Sequence, residues 1–429
     1  VNCEASLAWL YSLQQFGIKL GLHNIRELLS RLDNPQRAFP CLHIAGTNGK
    51  GSVSVFLAEI CRHAGYRVGL YTSPHLHSFT ERIRLDGEPL ASELLPELVD
   101  TVRRAAAGIP VTFFEATTAL ALLAFRRAGV EVAVIETGMG GRLDATNVID
   151  PVLCCITPVA FDHQEHLGTT LAAIAAEKAG IIKPGVPLIT ALQTPEAGAV
   201  LLATAARQGA DVWQADRDYR WGGSHRAMWF QGPGMELGGL SCALPGEHQL
   251  GNLAQALAGA VRLRGQGLTI PDAALSRAGA SARWPGRLEW FGSPPRVLLD
   301  GAHNQAGATA LATYLKTEVR QPVRLVAGLS GKRLPDEVLT PLRQEVKALY
   351  VTPVPEVAAV ATAPLAVWGA ANAIPTQVFD APGVALAAAL AERIDDDDVV
   401  VVAGSLYLVA AVRALLQNDK TLLTGSGDQ

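Results

Sequence analysis

Charge is scarce in this sequence, and what there is nearly balances. Of 429 residues only 18% are Asp, Glu, Lys or Arg, 36 of them basic and 40 acidic, for a formal net charge of −4. A protein that grips a nucleic-acid backbone needs a basic face, so nucleic acid is excluded as an expected partner. Cysteine is also sparse: the six (Cys3, Cys41, Cys61, Cys154, Cys155, Cys242) show no C-x-x-C spacing, and several lie in apolar runs such as "VLCCITPV". That usage fits small buried side chains in a reducing cytoplasm rather than disulfides. No long apolar run is left unbroken. The longest uncharged stretch, Val357 to Phe379, is interrupted by Pro364, Gly369, Asn372, Pro375 and Gln377, which predicts a loop and strand segment rather than a membrane span. The opening residues lack a basic region followed by an apolar one; Glu4 with Trp9, Leu10 and Leu13 predicts an amphipathic helix instead of a leader. No internal repeat is present.

What is abundant is core-forming material. Hydrophobic residues make up 49% of the chain, enough for a folded protein, and 429 residues imply two or three domains rather than one. Short apolar runs ("CLHIAG", "YRVGLY", "VEVAVIE", "VLCCITP", "VPLITA", then "RVLLD", "VRLVAG", "ALYVTP", "VVVVAGS") alternate with Ala/Leu-rich segments. This alternation predicts an α/β protein built on mostly parallel sheets. The rhythm breaks from about Asp211 to Leu244, where Trp213, Tyr219, Trp221, Trp229 and Phe230 lie among glycines, as in a small antiparallel insertion. It resumes with the helix "EHQLGNLAQALAGAVRL". A second break, "RWPGRLEWFGSPPR", reads as a linker with a boundary near Ser293, dividing the chain into 1–285, a linker 286–295 and 296–429. The acidic run Asp395 to Asp398 reads as a solvated loop before the final strand.

The stretch "CLHIAGTNGKGSVSVFLAEICRHAG" places an apolar strand, a glycine turn and a helix in succession. Backbone N–H groups of such a turn, aided by the helix N-terminus, converge on an anion. Thr47, Asn48, Gly49, Lys50, Gly51 and Ser52 therefore form a candidate phosphate loop, with Lys50 reaching a terminal phosphate and Ser52 a magnesium ion, although Ile44 and Gly51 depart from the usual G-x-x-x-x-G-K-[ST] spelling. The alternative is an ordinary strand-to-helix turn with a solvated lysine. A guanine-reading Asn-Lys-x-Asp is excluded because no Asn-Lys dipeptide occurs, which favours ATP.

Further polar residues follow strand ends, where open α/β sheets place ligands. Glu136 closes "VEVAVIE" and can hold Mg²⁺ on nucleotide phosphates; Asp144 and Asn147 lie in the glycine-rich loop after it, which could equally be a surface turn. After "ITPVAF" come Asp162, His163, Glu165 and His166; H-x-x-H raises zinc, but no third ligand stands at characteristic spacing. In the helix that Thr169 or Thr170 caps, Leu171, Ile174, Lys178 and Ile181 share a face, which turns Lys178 toward packed surroundings. A buried lysine is more readily neutral, and a neutral amine can add carbon dioxide to give a carbamate. The other reading is a helix-end lysine near the C-terminal dipole.

The ordered set "GTNGKGS", "YTSPHL", "FFEATTALAL", "ETGMGGRLDATNV", "DHQEHLG", "EKAGIIKPG", "LDGAHN" and "GSLYL" resembles the folylpolyglutamate synthases and bifunctional dihydrofolate synthases, relatives of the muramyl-peptide ligases, over nearly the whole chain. The resemblance implies a P-loop domain followed by a smaller Rossmann-like α/β domain that handles glutamate. It implies that Thr47 to Ser52, Asn252, Arg287 and Asp300 bind ATP, and that two Mg²⁺ ions are held, one by Ser73 and Glu136, the other by His163 with Lys178 as its carbamate. Thr112, Phe113, Phe114 and Glu115, with Leu143, Asp144 and Ala145, would line the pterin site; His303 and Ser405 would serve the incoming glutamate. Lys50, Lys178 and His163 are the residues implied in catalysis, His163 as a metal ligand rather than a base.

The implied reaction joins L-glutamate to dihydropteroate, or to the glutamyl tail of a folate, through an acyl phosphate made with ATP. "GGRLDATN" resembles the bifunctional form; extension of folates alone, or a muramyl-peptide type of ligase, are the alternatives. The resemblance also implies a cytoplasmic monomer whose partners are small molecules, without nucleic acid or membrane.

Overall fold

The structure is a computed structural model that describes residues 3–16, 21–292, 296–355, 359–393 and 398–418. The chain divides into two units: one comprises 1–243 and 249–283, the other 244–248 and 284–429.

The first unit is built on an eight-stranded sheet: β1 Cys41–Ala45, β2 Val68–Tyr71, β3 Ile83–Leu85, β4 Glu88–Pro89, β5 Val132–Glu136, β6 Pro151–Ile156, β7 Leu188–Thr190 and β8 Val212–Gln214, in the order β4-β3-β2-β5-β1-β6-β7-β8. From β2 to β8 every neighbour is parallel; only the β2–β3 and β3–β4 pairs are antiparallel. Strands β1 and β5 are buried along their whole length. Covered on both faces, they read as continuous apolar runs rather than alternating ones. The helix Phe113–Ala128 packs into the larger core, which includes Leu120, Leu123 and Phe125 with Ile25, Leu28 and Val102. It starts on a capping box, Thr112 with Glu115, and stops at Gly129 in the left-handed region (φ 66°).

The aromatic, glycine-rich insertion is a separate antiparallel sheet of β9 Arg220–Ser224, β10 Ala227–Gly232 and β11 Met235–Leu240. The preceding strand, β8, instead extends the main sheet beside β7.

The second unit carries a six-stranded sheet, β12 Glu289–Phe291, β13 Val297–Leu299, β14 Val323–Ala327, β15 Val346–Val351, β16 Thr376–Val378 and β17 Val400–Ala403, ordered β12-β13-β17-β14-β15-β16 and parallel except for β12. Its core gathers Leu298, Leu311, Leu325, Leu349 and Val401.

Three local expectations are corrected. Part of the supposed linker, Glu289–Phe291, is the edge strand β12: Trp290 donates to the Tyr314 hydroxyl (2.9 Å) and Glu289 pairs with Arg413 (2.9 Å). The expected boundary at Ser293 lies outside the described residues. The uncharged stretch contains a helix, Thr362–Ala371, rather than only loop and strand. Its Pro364 falls in the first turn, where backbone N–H groups have no helical acceptor to lose; Val357 lies outside the described residues. Of the acidic run, Asp395 to Asp397 lie outside them too. Asp398 is not solvated: it is 2% exposed and paired with Arg324 (3.1 Å) and Lys347 (2.8 Å).

Among the described residues no helix is long and apolar enough to cross a membrane.

Candidate active site

Strand β1 runs into the glycine turn, and the helix Lys50–His63 begins with Gly49 at its N-cap (φ 89°) and no side-chain cap. The leading N–H groups of this fourteen-residue helix are thus left for an anion. Two glycines are required by geometry. Gly46 (φ 144°) lies so close to Thr157 that a Cβ would overlap its hydroxyl, and a Cβ on Gly49 would stand 2.6 Å from Asn252 Oδ1. The second contact brings Asn252, from the helix Glu247–Arg264, beside the turn. Thr47 ties the turn to the β6 end: its hydroxyl donates to the Ala160 carbonyl (3.0 Å) and accepts from the Ala160 N–H (3.0 Å).

Both lysines singled out from the sequence converge on the turn. Lys50 Nζ donates to the carbonyls of Gly46 (3.3 Å) and Thr47 (3.1 Å), and Lys178 Nζ donates to the same Gly46 carbonyl at 2.7 Å. Thr170 caps the helix Leu171–Ala179, accepting from the Ala173 N–H, and Lys178 lies on its packed side, 3% exposed. Burial, followed by the nearby Lys50 charge, pushes the Lys178 amine down to about 7, with Asp162 and Asp144 pulling the other way.

Glu136 ends β5 at 4% exposure, and the Ser73 N–H, at the end of β2, donates to its Oε2 (3.2 Å). A carboxylate and a serine hydroxyl are both hard oxygen donors of the kind Mg²⁺ takes, and the backbone contact brings Ser73 and Glu136 together. His163 has left-handed backbone (φ 49°) at the start of the short helix Gln164–Leu167, its N–H donating to Asp162 Oδ1 (3.0 Å). A lysine amine is a poor Mg²⁺ ligand, so Lys178 suits a second ion only as a carbamate, whose oxygens are hard donors. Among the described residues no group of three or more His, Cys, Asp or Glu side chains is placed to hold a metal.

Phe114 of the first segment assigned to the pterin site reaches the glycine-rich loop that leads to the second, at Gly138. The Phe114 ring lies on Gly138, where a Cβ would be 2.5 Å from the ring's Cζ. Phe113 stacks on Tyr11 (5.8 Å between centroids) with the Arg82 guanidinium 5.3 Å from its ring. Two of the assigned carboxylates are engaged internally. Glu115 Oε2 accepts from the Thr112 N–H (2.8 Å) and hydroxyl (2.9 Å). Asp144 accepts from the N–H groups of Thr146 (3.0 Å) and Met139 (2.9 Å). Burial raises the Asp144 carboxyl, while its hydrogen bonds lower it. Leu143 and Ala145 flank it, and Asn147 ties the loop to the Lys178 helix by donating to the Gly180 carbonyl (3.0 Å).

In the second unit, Asp300 follows β13 and accepts from the N–H groups of Leu288 (3.0 Å) and Ala302 (2.9 Å). The Arg287 guanidinium lies against Gly301, and His303 Nδ1 bonds the Gly301 carbonyl (2.7 Å). Ser405 Oγ accepts from the Tyr407 N–H (3.2 Å) at the start of the helix Leu406–Asn418 and lies 3.3 Å from the Ser330 hydroxyl.

Thr157, against Gly46, and His43, bonded to Thr146, also border these loops without belonging to any motif. Thr157 follows β6 immediately, the strand-end position that marks ligand sites. His43 is a polar residue inside an otherwise apolar strand, a signal visible in "CLHIA".

Family models match most of the chain: the Mur ligase middle domain covers residues 44–260 and the Mur ligase glutamate ligase domain residues 286–406. The chain is 35% identical to a folylpolyglutamate synthase of Lacticaseibacillus casei over 98% of this chain and all of that one. It is 32% identical to the dihydrofolate synthase/folylpolyglutamate synthase of Escherichia coli over 96% and 94%. Among solved structures, E. coli FolC in complex with DHPP and ADP superposes with a TM-score of 0.88 at 31% identity, covering 96% of this chain and 98% of that one. The Mycobacterium tuberculosis folylpolyglutamate synthase complexed with ADP and AMPPCP gives 0.87 at 33%, covering 97% and 100%.

Proposed function

The chain belongs to the Mur ligase family, and from that membership we propose that it is an ATP-dependent ligase joining L-glutamate to dihydropteroate, giving dihydrofolate, and to the glutamyl tail of folates. The observation that carries this reading is a phosphate turn served by two lysines: Lys50 and the buried Lys178 both bond the Gly46 carbonyl at the mouth of an uncapped helix.

The chemistry follows from the weakness of a carboxylate as an acyl donor, since its oxygen is a poor leaving group. An oxygen of the pteroyl or folyl carboxylate attacks the γ-phosphorus of ATP, the bond to the β-phosphate oxygen breaks, and ADP departs. The amine of glutamate then attacks the acyl carbon, inorganic phosphate leaves, and the nitrogen gives up a proton. Thr47 to Ser52 cradle the phosphates, with Lys50 and the helix N-terminus stabilising charge on the group in flight. Asn252, Arg287 and Asp300 complete the proposed nucleotide contacts. Thr112 to Glu115 and Leu143 to Ala145 hold the pterin end, the engaged carboxylates of Glu115 and Asp144 acting on the shape of the site. His303 and Ser405 receive glutamate. Ser73 with Glu136, and His163 with carbamylated Lys178, would hold two Mg²⁺ ions, which when bound neutralise phosphate charge.

The test is phosphate release with each substrate omitted in turn. The ligase requires ATP, a pteroyl acid and glutamate together. Release without glutamate would indicate a kinase or ATPase, and binding without turnover a nucleotide sensor. A second reading, extension of folates alone, is favoured by the L. casei relative, whose name carries only that activity; absence of turnover on dihydropteroate alongside activity on a tetrahydrofolate would establish it.

A further inference from the structure

Strand β1 ends in the phosphate turn, yet its middle residue faces a different task. His43 is wholly buried between Leu42 and Ile44, and its Nε2 lies 2.9 Å from the Thr146 hydroxyl. That hydroxyl in turn bonds Asp144 Oδ1. The direction of each bond is determined by what the carboxylate already does. Oδ1 accepts from the Thr146 N–H and Oδ2 from the Met139 N–H, so the carboxylate is the acceptor in the third bond as well, and the single proton of the Thr146 hydroxyl goes to it. The Thr146 oxygen must then accept from His43, which is therefore the Nε2–H tautomer. Its Nδ1 is left bare, with no hydrogen-bond partner.

A bare nitrogen at zero exposure is a cost that leucine or valine at this position would not carry. What the imidazole supplies in exchange is one N–H, which stops the Thr146 hydroxyl from rotating away from Asp144. Asp144 then holds two ends of one loop together, the Met139 side and the Thr146 side, across the segment that includes Leu143 and Ala145.

We propose that His43 is a positioning residue for the pteroyl-bearing substrate: through Thr146 it orients the Asp144 carboxylate and so gives the 138–147 loop the shape that the pterin end meets. This rests on the assignment of Leu143 to Ala145 to the pterin site, and it adds a residue that touches neither substrate nor nucleotide.

Three variants test it in the full chain: His43→Leu, which removes the N–H; Thr146→Val, which removes the relay and keeps the shape; and His43→Gln, whose amide nitrogen restores a donor at the same reach. Loss of one buried hydrogen bond predicts that H43L and T146V raise KM for dihydropteroate or a folate about three- to tenfold, while KM for ATP and for glutamate changes less than about twofold. The same two variants speed hydrogen exchange at the Met139 and Thr146 amides of the substrate-free protein, and H43Q reverses both effects. Exchange at those amides unchanged in H43L overturns the proposal. So does a KM rise shared equally by all three substrates, or a failure of H43Q to restore the loop. If the wild-type protein turns over no pteroyl acid, the ligase reading falls, and the exchange measurement still decides whether His43 orders the loop.

Discussion

Replacing Lys178 by methionine should change how stability depends on pH, and the size of the change follows from where the amine sits. Lys178 is 3% exposed, and burial with the neighbouring Lys50 charge lowers its amine from 10.5 to about 7. The folded protein therefore releases this proton near pH 7, whereas the unfolded chain holds it to about 10.5. Between those values the unfolded state binds one more proton, so unfolding free energy rises with pH, by up to about 1.4 kcal/mol per pH unit. Below pH 7 both states are protonated and the folded protein bears the whole cost of burying the charge; above 10.5 both are neutral and the cost is gone. From pH 7 to pH 9 this single group contributes about 2 to 3 kcal/mol of added stability. K178M has no such group and keeps an apolar chain of similar length in the same space. The assay is urea unfolding of both proteins in buffer scrubbed of carbon dioxide, which keeps the carbamate out. Lys183, whose amine is also lowered by burial, is common to both and cancels in the difference. The gap between K178M and wild type is expected to narrow by about 2 to 3 kcal/mol over that range. Curves that run parallel from pH 7 to pH 9 would refute a lowered amine at this position.

Other outcomes follow from the same geometry. In ¹³C-labelled bicarbonate at pH 8, wild type is expected to show a carbamate carbon signal that K178M lacks. Gly49→Ala must place a Cβ 2.6 Å from Asn252 Oδ1 on a backbone with φ 89°, so the free turn should relax from this shape and ATP affinity by calorimetry should fall, by up to about tenfold, since a left-handed alanine costs about 1 to 2 kcal/mol to hold. Asp398→Ala takes the shared carboxylate from Lys347 and from Arg324, which keeps Glu392 (3.4 Å) and the Tyr350 hydroxyl, and should lower the stability of the second unit by about 1.5 to 3 kcal/mol in denaturant titrations. Glu136→Ala should abolish Mg²⁺-dependent phosphate release in the assay with all three substrates while leaving the far-UV circular dichroism unchanged.

The fold class was legible in the sequence, and so was the strand–turn–helix that carries the candidate phosphate loop, because both are written in contiguous residues. Fully buried parallel strands show as unbroken apolar runs, a strand, a turn and a helix N-terminus follow one another within twenty-five residues, and Glu136 announces itself as the last residue of such a run. The aromatic insertion was legible for the same local reason. Side chains that meet from distant segments carry no periodic signal, and their encounters emerge only once the chain is folded. Asn252 reaches Gly49 across two hundred residues, Lys178 finds the Gly46 carbonyl, and His43 reaches Thr146 from a different element of the sheet domain. The helix at Thr362–Ala371 and the strand at Glu289–Phe291 belong here as well, since packing overrode the proline and glycine content that argued against them. Asp398 is the clearest instance: four consecutive aspartates look solvated in one dimension, and only the approach of Arg324 and Lys347, from strands β14 and β15, makes burial of the last one affordable in free energy.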